Sequence, residues 1–301
     1  MKRVLITGIT GKSGAVFAGL LGEEGGALGY TLRVLVRTQA QRDWAASLLP
    51  HAEIVLGDLD NQHDLDRMTK DVDILFHIAG IQRSWPLVEA AVANQVRRMV
   101  LVHTTGIYSK YKAAGEKYRQ TEAKIDALAR QKGISLTYLR PTMIYGTLDD
   151  RNMIQFIKMV DRLNPMPMVN HGRYTLQPVN CQDLGKAYWQ VLTALDKTGG
   201  KSYILSGHDS LLLCELFEEI ARCLGVNRKF CSIPFPLAYA GAWGVYGLTL
   251  GKLDFREKVQ RLCEDRSFSY EDAARDFGYR PMPFVEGLRI EVEEYLREKR
   301  K

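Results

Sequence analysis

The sequence has little of the chemistry on which metal and disulfide proteins depend. Its 301 residues include five cysteines, none of which stands in a C-x-x-C pair or at metal-ligand spacing to a histidine. This spacing indicates no metal site, and the odd, scattered set favours reduced thiols in a cytosol-like compartment. The first residues lead directly into a predicted strand without the pattern of a signal peptide, so we expect a cytoplasmic protein.

Dense positive charge and a P-loop are also missing. The net charge is +6, and the densest basic run is Arg297–Lys301, which is typical of a solvated helix end. We therefore predict no nucleic-acid partner. The chain contains no G-x-x-x-x-G-K-[ST] segment, which excludes a P-loop nucleotide site.

The most informative stretch is the first fourteen residues. The apolar run from Val4 to Ile6 predicts a buried strand, and the apolar spacing from Ala15 to Leu21 predicts a helix. Between them the chain reads T-G-x-x-G-x-x-G, which in this context is typical of a dinucleotide fingerprint. We predict that the pyrophosphate lies on free N–H groups at the positive end of the helix. The predicted contacts are Gly8, Thr10, Gly11, Lys12, Ser13 and Gly14.

The end of the second predicted strand, residues 32–36, indicates which dinucleotide binds. Folds that prefer NAD usually carry an acidic residue here, which binds the ribose 2′-hydroxyl. This chain has Arg37 instead, and no carboxylate follows until Asp43. A guanidinium can bind a 2′-phosphate through two charge-assisted hydrogen bonds. NADP(H) is therefore favoured, with NAD(H) as the alternative if Arg37 is merely an exposed strand-end residue.

Two further predicted strands end in residues suited to the same ligand. Asp58 and Leu59 follow the third strand, where Asp58 either contacts the adenine edge or caps the helix that begins near Asn61. Ala79 and Gly80 follow the fourth strand, and small residues there allow close approach of a ligand. Strands that alternate with helices at this spacing predict a parallel, doubly wound α/β sheet.

Several short motifs then occur in one order, and together they resemble the extended short-chain dehydrogenase/reductase superfamily, specifically its NAD-dependent epimerase/dehydratase and NmrA-like branches. The resemblance covers nearly the whole chain. It implies a Rossmann-type dinucleotide-binding domain over residues 1–147, to which 172–205 return, and a smaller, mostly helical substrate-binding or capping domain over 148–301. The motifs lie at Thr7–Gly14, Gly57–Leu59, His77–Gly80, Thr104–Tyr108, Leu139–Gly146, Gln177–Asp183 and Tyr270–Pro281.

The resemblance also implies a chemistry, and here the chain departs from the pattern. The family uses a Ser/Thr hydroxyl, a tyrosine and a lysine four residues after it. Thr104 resembles the hydroxyl position, but the tyrosine and lysine positions fall near Ala114 and Tyr118. A Y-x-x-x-K does occur at Tyr108–Lys112, although it begins at a strand end instead of on the following helix.

The candidate catalytic residues are therefore Thr104, Tyr118 and Tyr108. Tyr118 precedes Glu122 by one helical turn and either contacts the nicotinamide ribose or belongs to the core. By the same resemblance, the backbone of Pro141, Thr142 and Met143 is expected to border the nicotinamide.

Two functions of different classes remain open. The first is an NAD(P)-dependent oxidoreductase or epimerase/dehydratase-like enzyme that acts on a small carbonyl or hydroxyl compound or a nucleotide sugar. The second is a non-catalytic NADP(H)-binding redox sensor or assembly factor, which the missing tyrosine–lysine pair favours. The resemblance also allows a homodimer, since helices that flank the fifth strand often pair subunits in this superfamily.

The segment from Ile233 to Leu250 has eighteen residues and no charge. Its length makes it a candidate membrane span, but two prolines and several glycines argue against a spanning helix. We predict a buried or lid helix of the substrate domain. The alternative is contact with a membrane surface or with a greasy substrate.

Overall fold

The computed structural model describes residues 1–111, 113–150 and 152–301, so Lys112 of the Tyr108–Lys112 motif lies outside the described residues. The strands are β1 (Lys2–Thr7), β2 (Tyr30–Val36), β3 (Glu53–Leu56), β4 (Ile74–His77), β5 (Arg98–Val102), β6 (Ser135–Pro141), β7 (Ile144–Tyr145), β8 (Met166–Val169), β9 (Thr175–Leu176), β10 (Val179–Asn180), β11 (Ser202–Leu205), β12 (Leu211–Leu212) and β13 (Phe230–Ile233). The helices are α1 (Lys12–Glu24), α2 (Gln39–Leu48), α3 (Gln62–Thr69), α4 (Ser84–Ala93), α5 (Gly115–Lys132), α6 (Met153–Arg162), α7 (Cys181–Thr193), α8 (Leu195–Thr198), α9 (Leu213–Leu224), α10 (Phe235–Leu248), α11 (Arg256–Arg261), α12 (Glu271–Phe277) and α13 (Phe284–Arg300).

Seven of the described strands form one parallel sheet in the order β11-β6-β5-β4-β1-β2-β3. Parallel strands need both faces covered, and the central strands are accordingly apolar along their length. Within β1, Val4 and Ile6 pack into one core and Leu5 into the other, because successive side chains point to opposite faces. The predicted parallel, doubly wound α/β sheet is confirmed.

Helices cover both faces of this sheet. On one face, α1 and α7 pack together, and the rings of Phe17 and Tyr188 both contact that of Phe76, at 5.2 and 6.0 Å between centroids. On the other face, α3, α4 and α5 contribute Leu65, Leu87 and Ile125. Because the seven strands are parallel, their carboxyl ends all lie at one edge of the sheet.

A third apolar cluster belongs to a smaller, mostly helical region. It is formed largely by α6, α9 and α13, which pack around Ile157, Phe217 and Leu288. The short pair of β8 and β13 lies beside them. Between these parts the chain passes back through α7 and β11 to the edge of the main sheet.

The uncharged segment forms a helix, as predicted, but its predicted burial is wrong. Within α10, all of which the structure describes, Ala242 alone is buried. The helix lies outside the three cores, and among the described elements it packs mainly against α11. Among the described residues that line the cavity discussed below, none comes from α10, which does not support the lid. No helix in the described part of the chain is both long and apolar enough to cross a bilayer.

Candidate functional site

A cavity of about 900 Å³ opens at the carboxyl ends of the central strands. It lies between β1 and β4, where the strand order reverses, which is where open α/β sheets bind their ligands. The structure brings most of the predicted site residues to this cavity. These are Gly8, Thr10, Gly11, Lys12, Ser13, Arg37, Asp58, Leu59, Ala79, Gly80, Thr104, Tyr108, Thr142 and Met143. Gly14, Pro141 and Tyr118 are not among the described residues that line it.

The glycine turn between β1 and α1 is shaped by backbone contacts. Gly8 has a φ of +82°, and a Cβ there would lie 2.6 Å from the backbone nitrogen of Ala79. A Cβ at Gly14 would lie 2.3 Å from the carbonyl oxygen of Gly8, so Gly14 acts by close packing and not by lining the cavity. Helix α1 begins at Lys12, with free N–H groups in its first turn. This bare backbone cradle fits a pyrophosphate.

A buried histidine fixes the neighbouring loop. Nε2 of His77 lies 3.0 Å from the carbonyl oxygen of Gly80, and its Nδ1 lies 2.6 Å from the Thr7 hydroxyl. Burial lowers the pKa of His77 to about 3, so the ring is neutral. Because a carbonyl can only accept, Nε2 carries the proton and Nδ1 accepts from Thr7. The histidine thereby links the two strand ends on either side of the cavity.

Arg37 stands at the end of β2 on the rim of the cavity and is exposed. Its backbone N–H donates to Gln41 Oε1 at 2.9 Å, and Thr38 caps the N-terminus of α2. Asp43, the nearest following carboxylate, accepts from Gln39 at 2.8 Å. Arg37 thus lines the cavity beside the end of β2, and the preference for NADP(H) stays a prediction.

The capping alternative for Asp58 is wrong. The side chain of Asn61 caps α3 by accepting from the N–H of Asp64. Asp58 instead accepts from the N–H of Asp60 at 3.0 Å, and its own N–H donates to Asp64. Asn61 is the N-cap and Asp58 is not, because Asn61 directly precedes the first helical residue of α3. Asp58 is left on the cavity wall, where its contact with adenine stays a prediction.

Two of the three catalytic candidates share the cavity. Thr104 follows β5, and its hydroxyl oxygen accepts from the N–H of Gly106 at 3.0 Å, which leaves its O–H free to donate. Tyr108 is half-exposed, with its ring 5.8 Å from that of Phe268. Tyr118 is buried on α5, where its hydroxyl accepts from Gln82 Nε2 at 2.8 Å. The geometry thus brings Thr104 and Tyr108 together and places Tyr118 outside the cavity wall.

Behind this pair lies a buried charge network that sequence reasoning missed. Glu122 Oε1 accepts from His103 Nδ1 at 2.8 Å, and Glu122 Oε2 accepts from Arg140 Nη2 at 2.7 Å. The other ring nitrogen of His103 lies 3.0 Å from the Ser84 hydroxyl. These side chains are nearly inaccessible to water. They hold together the ends of β5 and β6 and the helix α5 that crosses them.

The pKa shifts in this network follow from burial and pairing. Burial lowers the pKa of His103, and Glu122 only partly offsets this. For Glu122, burial alone would raise the pKa, but hydrogen bonds from His103 and Arg140 outweigh it and hold the pKa below its usual value. The Arg140 guanidinium lies 5.9 Å from the ring centroid of Tyr108. A signal was present in the sequence, since His103 and Arg140 both end apolar strands.

Two arginines from the C-terminal part complete the cavity on the side of Tyr108. Arg261 and Arg266 both line it, and in each the Nε atom is buried without a hydrogen-bond partner among the described residues. Burial, with Arg261 nearby, lowers the pKa of Arg266 to about 10.

The two arginines differ in their carboxylate partners. Arg261 Nη1 lies 3.7 Å from Glu257 Oε1, whereas Arg266 forms no ion pair with a carboxylate among the described residues. The carboxylates next to Arg266 in sequence are bound elsewhere: Glu264 accepts from Ser109 and from the N–H of Lys110, both at 2.7 Å, and Asp265 accepts from Thr175. An arginine without such a partner makes this end of the cavity suited to an anion.

Residues 1–240 match the NmrA-like family. The chain is 23% identical over 278 residues to the 2-alkyl-3-oxoalkanoate reductase of Stenotrophomonas maltophilia, covering 78% of this chain and 84% of that one. It is 25% identical over 233 residues to the (4-alkanoyl-5-oxo-2,5-dihydrofuran-3-yl)methyl phosphate reductase of Streptomyces griseus, covering 75% and 76%. The structure of DesIV, a dTDP-glucose 4,6-dehydratase from Streptomyces venezuelae with NAD bound, superposes with a TM-score of 0.72 at 20% identity, over 99% and 98% of the two chains.

These similarities agree with the geometry of the cavity. Both place the chain among the oxidoreductase- and epimerase-like proteins of the NAD(P)-binding superfamily. The family match covers most of the sequence and includes every strand of the main sheet. The chain therefore belongs to the NmrA-like family, within the extended short-chain dehydrogenase/reductase superfamily.

Proposed function

We propose that the protein is an NADP(H)-dependent oxidoreductase whose substrate is a small carbonyl or hydroxyl compound with an anionic group. The observation that carries this proposal is the position of Arg261 and Arg266 in the same cavity as Thr104 and Tyr108. A substrate anion held by the guanidinium groups would leave its carbonyl within the part of the cavity that the hydroxyl groups line. The arginines are buried enough for such a contact to be worth more than one in open water.

The substrates in the names of the relatives support an anionic substrate. An oxoalkanoate carries a carboxylate beside its keto group, and the second reductase acts on a phosphate ester that also carries an oxo group. The dehydratase acts on a nucleoside-diphosphate sugar. The three differ in the rest of the molecule, so the shared feature is the negative charge close to an oxidisable or reducible carbon.

The residues of this chain would perform three tasks. The glycine turn and Lys12 would hold the pyrophosphate, and Arg37 would bind the 2′-phosphate. When bound, the nicotinamide supplies or accepts the hydride. Thr104 would donate its O–H to the carbonyl oxygen, and Tyr108 would transfer the proton that converts the oxyanion to an alcohol.

The non-catalytic alternative rests on a different observation. Ala114 and Tyr118 stand where the superfamily has its tyrosine and lysine, and the Tyr118 hydroxyl accepts from Gln82 instead of facing the cavity. A protein that binds NADP(H) without turning over a substrate would act as a redox sensor or an assembly factor.

The experiment compares a keto acid with its neutral ester. Purified protein is first titrated with NADPH and NADH by calorimetry, and then 3-oxo acids and their methyl esters are supplied while nicotinamide absorbance is followed. We expect kcat/KM for the acid to exceed that for the ester by about tenfold or more, because the ester lacks the charge that the arginines bind. Replacing Arg266 by glutamine should remove this preference, mainly through KM.

The matched control is Arg275→Gln, which changes an exposed arginine on α12 that is paired with Asp272. It should leave the acid-to-ester ratio unchanged. Equal use of acid and ester by the unmodified protein would contradict the anionic substrate. Tight NADPH binding with no turnover of a broad panel of keto acids, phosphates and nucleotide sugars would favour the non-catalytic alternative.

A further inference from the structure

Helix α10 is apolar on all sides, although it is not enclosed. The chain has no charged residue from Ile233 to Gly251, and the polar and apolar residues of the helix are not sorted onto separate faces. A helix of this kind is normally buried in a protein core or a membrane. Here Ala242 is the one buried residue of α10, and Leu237 is 65% exposed. The solvent-facing sides therefore expose apolar surface to water, which is unfavourable.

The apolar surface is most pronounced where α10 turns into α11. Leu248 and Leu250 are 88% and 90% exposed, which means that almost no other part of the protein contacts their side chains. Leu253 and Phe255 are also exposed. We call the side chains of Leu248, Leu250, Leu253 and Phe255 the apolar tip. Isolated exposed leucines are common on soluble proteins, but a cluster beside an uncharged helix marks an interaction site.

Aromatic rings and cations flank the apolar tip. The guanidinium of Arg256 stacks on the rings of Trp243 and Tyr246, at 4.2 and 3.9 Å from their centroids. Asp254 is neutralised by two hydrogen bonds from Arg256. Lys252 and Lys258 are exposed, and in the described part of the chain neither forms an ion pair with a carboxylate. The fringe of the tip is therefore basic.

We propose that α10 and the apolar tip dock onto the surface of a membrane that contains anionic phospholipids. A helix of fourteen residues is about 21 Å long at about 1.5 Å per residue, shorter than a hydrocarbon core of about 30 Å, so it lies in the interface and does not span it. The leucines of the tip would enter the acyl boundary, and Trp243 and Tyr246 would lie at the headgroups. Lys252 and Lys258 would contact lipid phosphates.

The charge argues against a second copy of this chain as the occupant. Two copies joined through α10 would bring their basic fringes together, which costs free energy, whereas an anionic lipid surface attracts both lysines. This proposal does not depend on the reaction proposed above.

The test is vesicle co-sedimentation of the full-length protein. Vesicles of phosphatidylcholine with phosphatidylglycerol are compared with vesicles of phosphatidylcholine alone, at low and high salt. We expect binding to the anionic vesicles that weakens as salt rises. The double substitution Leu248→Asp/Leu250→Asp should reduce binding by tenfold or more. The matched control is Ile290→Asp, which places the same charge at an apolar position on α13 that is 51% exposed, and it should bind like the unmodified protein.

A second readout locates the contact. Vesicles with brominated acyl chains should quench tryptophan fluorescence in the unmodified protein, and Trp243→Phe should remove that quenching while sedimentation persists. Failure of the unmodified protein to bind anionic vesicles would overturn the proposal, and so would equal loss of binding in the Ile290 control. A concentration-dependent dimer in sedimentation velocity that Leu248→Asp/Leu250→Asp dissociates would show that a second copy covers the helix instead.

Discussion

The two ends of the cavity are built in different ways. The nucleotide end is made mainly of backbone: a turn of glycines and the N-terminus of α1. The substrate end is made of side chains from distant parts of the chain, with Tyr108 after β5 and Arg266 far beyond β13. The nucleotide end depends on the absence of side chains, because a Cβ at Gly8 or Gly14 would meet backbone atoms. The substrate end depends on which charged groups the fold brings together.

The largest expected effect tests whether the substrate end is catalytic. If Tyr108 transfers the proton, Tyr108→Phe should lower kcat by about 10²- to 10⁴-fold in the assay with the preferred keto acid. Tyr118→Phe is the matched control, because Tyr118 bonds to Gln82 away from the cavity wall and its loss should change kcat little. The reverse pattern would move the catalytic role to α5.

The charge network behind the substrate end should be the next most sensitive feature. Glu122→Gln leaves the Arg140 guanidinium buried without its carboxylate, which should lower the free energy of unfolding by about 3–5 kcal/mol in urea denaturation. Glu116→Gln on the same helix removes an exposed pair with Arg119, which water screens, so its effect on the free energy of unfolding should be far smaller. Similar losses in both variants would mean that the network contributes no more than a surface pair.

At the nucleotide end, two glycines of one helix should respond oppositely to the same change. Gly14→Ala places a Cβ against the Gly8 carbonyl, which should cost about 1–3 kcal/mol of stability and weaken dinucleotide binding. A Cβ at Gly19 meets no atom within 4 Å, so Gly19→Ala should stabilise the protein by about 0.5–1 kcal/mol. Thermal denaturation with and without NADPH measures both. Matching behaviour of the two variants would show that the turn is looser than its contacts imply.

The smallest expected effect concerns the choice of dinucleotide. Arg37→Asp should weaken NADPH binding by about tenfold or more in calorimetry and leave NADH binding nearly unchanged, because only NADPH carries the 2′-phosphate. Arg42→Asp makes the same charge change at an exposed position of α2 and should not alter the ratio of the two affinities. Equal losses for both dinucleotides after Arg37→Asp would remove Arg37 from the 2′-phosphate.

The contrast between the two ends also explains what the sequence could predict. The sheet and the glycine turn follow from patterns within a few residues of one another, because strand periodicity and backbone shape are local properties. Glu122 and Arg140 are eighteen residues apart and meet only because α5 crosses β6, and no spacing rule gives that contact. The burial of α10 was predicted wrongly for a related reason. An uncharged run indicates that a segment is apolar, but only the fold shows whether the rest of the protein buries that segment.

The segment from Arg261 to Phe268 has a consequence for how this scaffold could change its substrate. Two adjacent carboxylates in its middle hold it in place: Glu264 is bound to the loop at Ser109, and Asp265 is bound to Thr175. The family match ends at residue 240, before this segment begins. A graft of the corresponding segment from a relative, carried with its two anchoring carboxylates, would therefore exchange the substrate-facing charges and leave the dinucleotide platform untouched. Because the hydrogen bonds of Glu264 and Asp265 fix the segment, its eight residues form a natural unit for engineering new specificity.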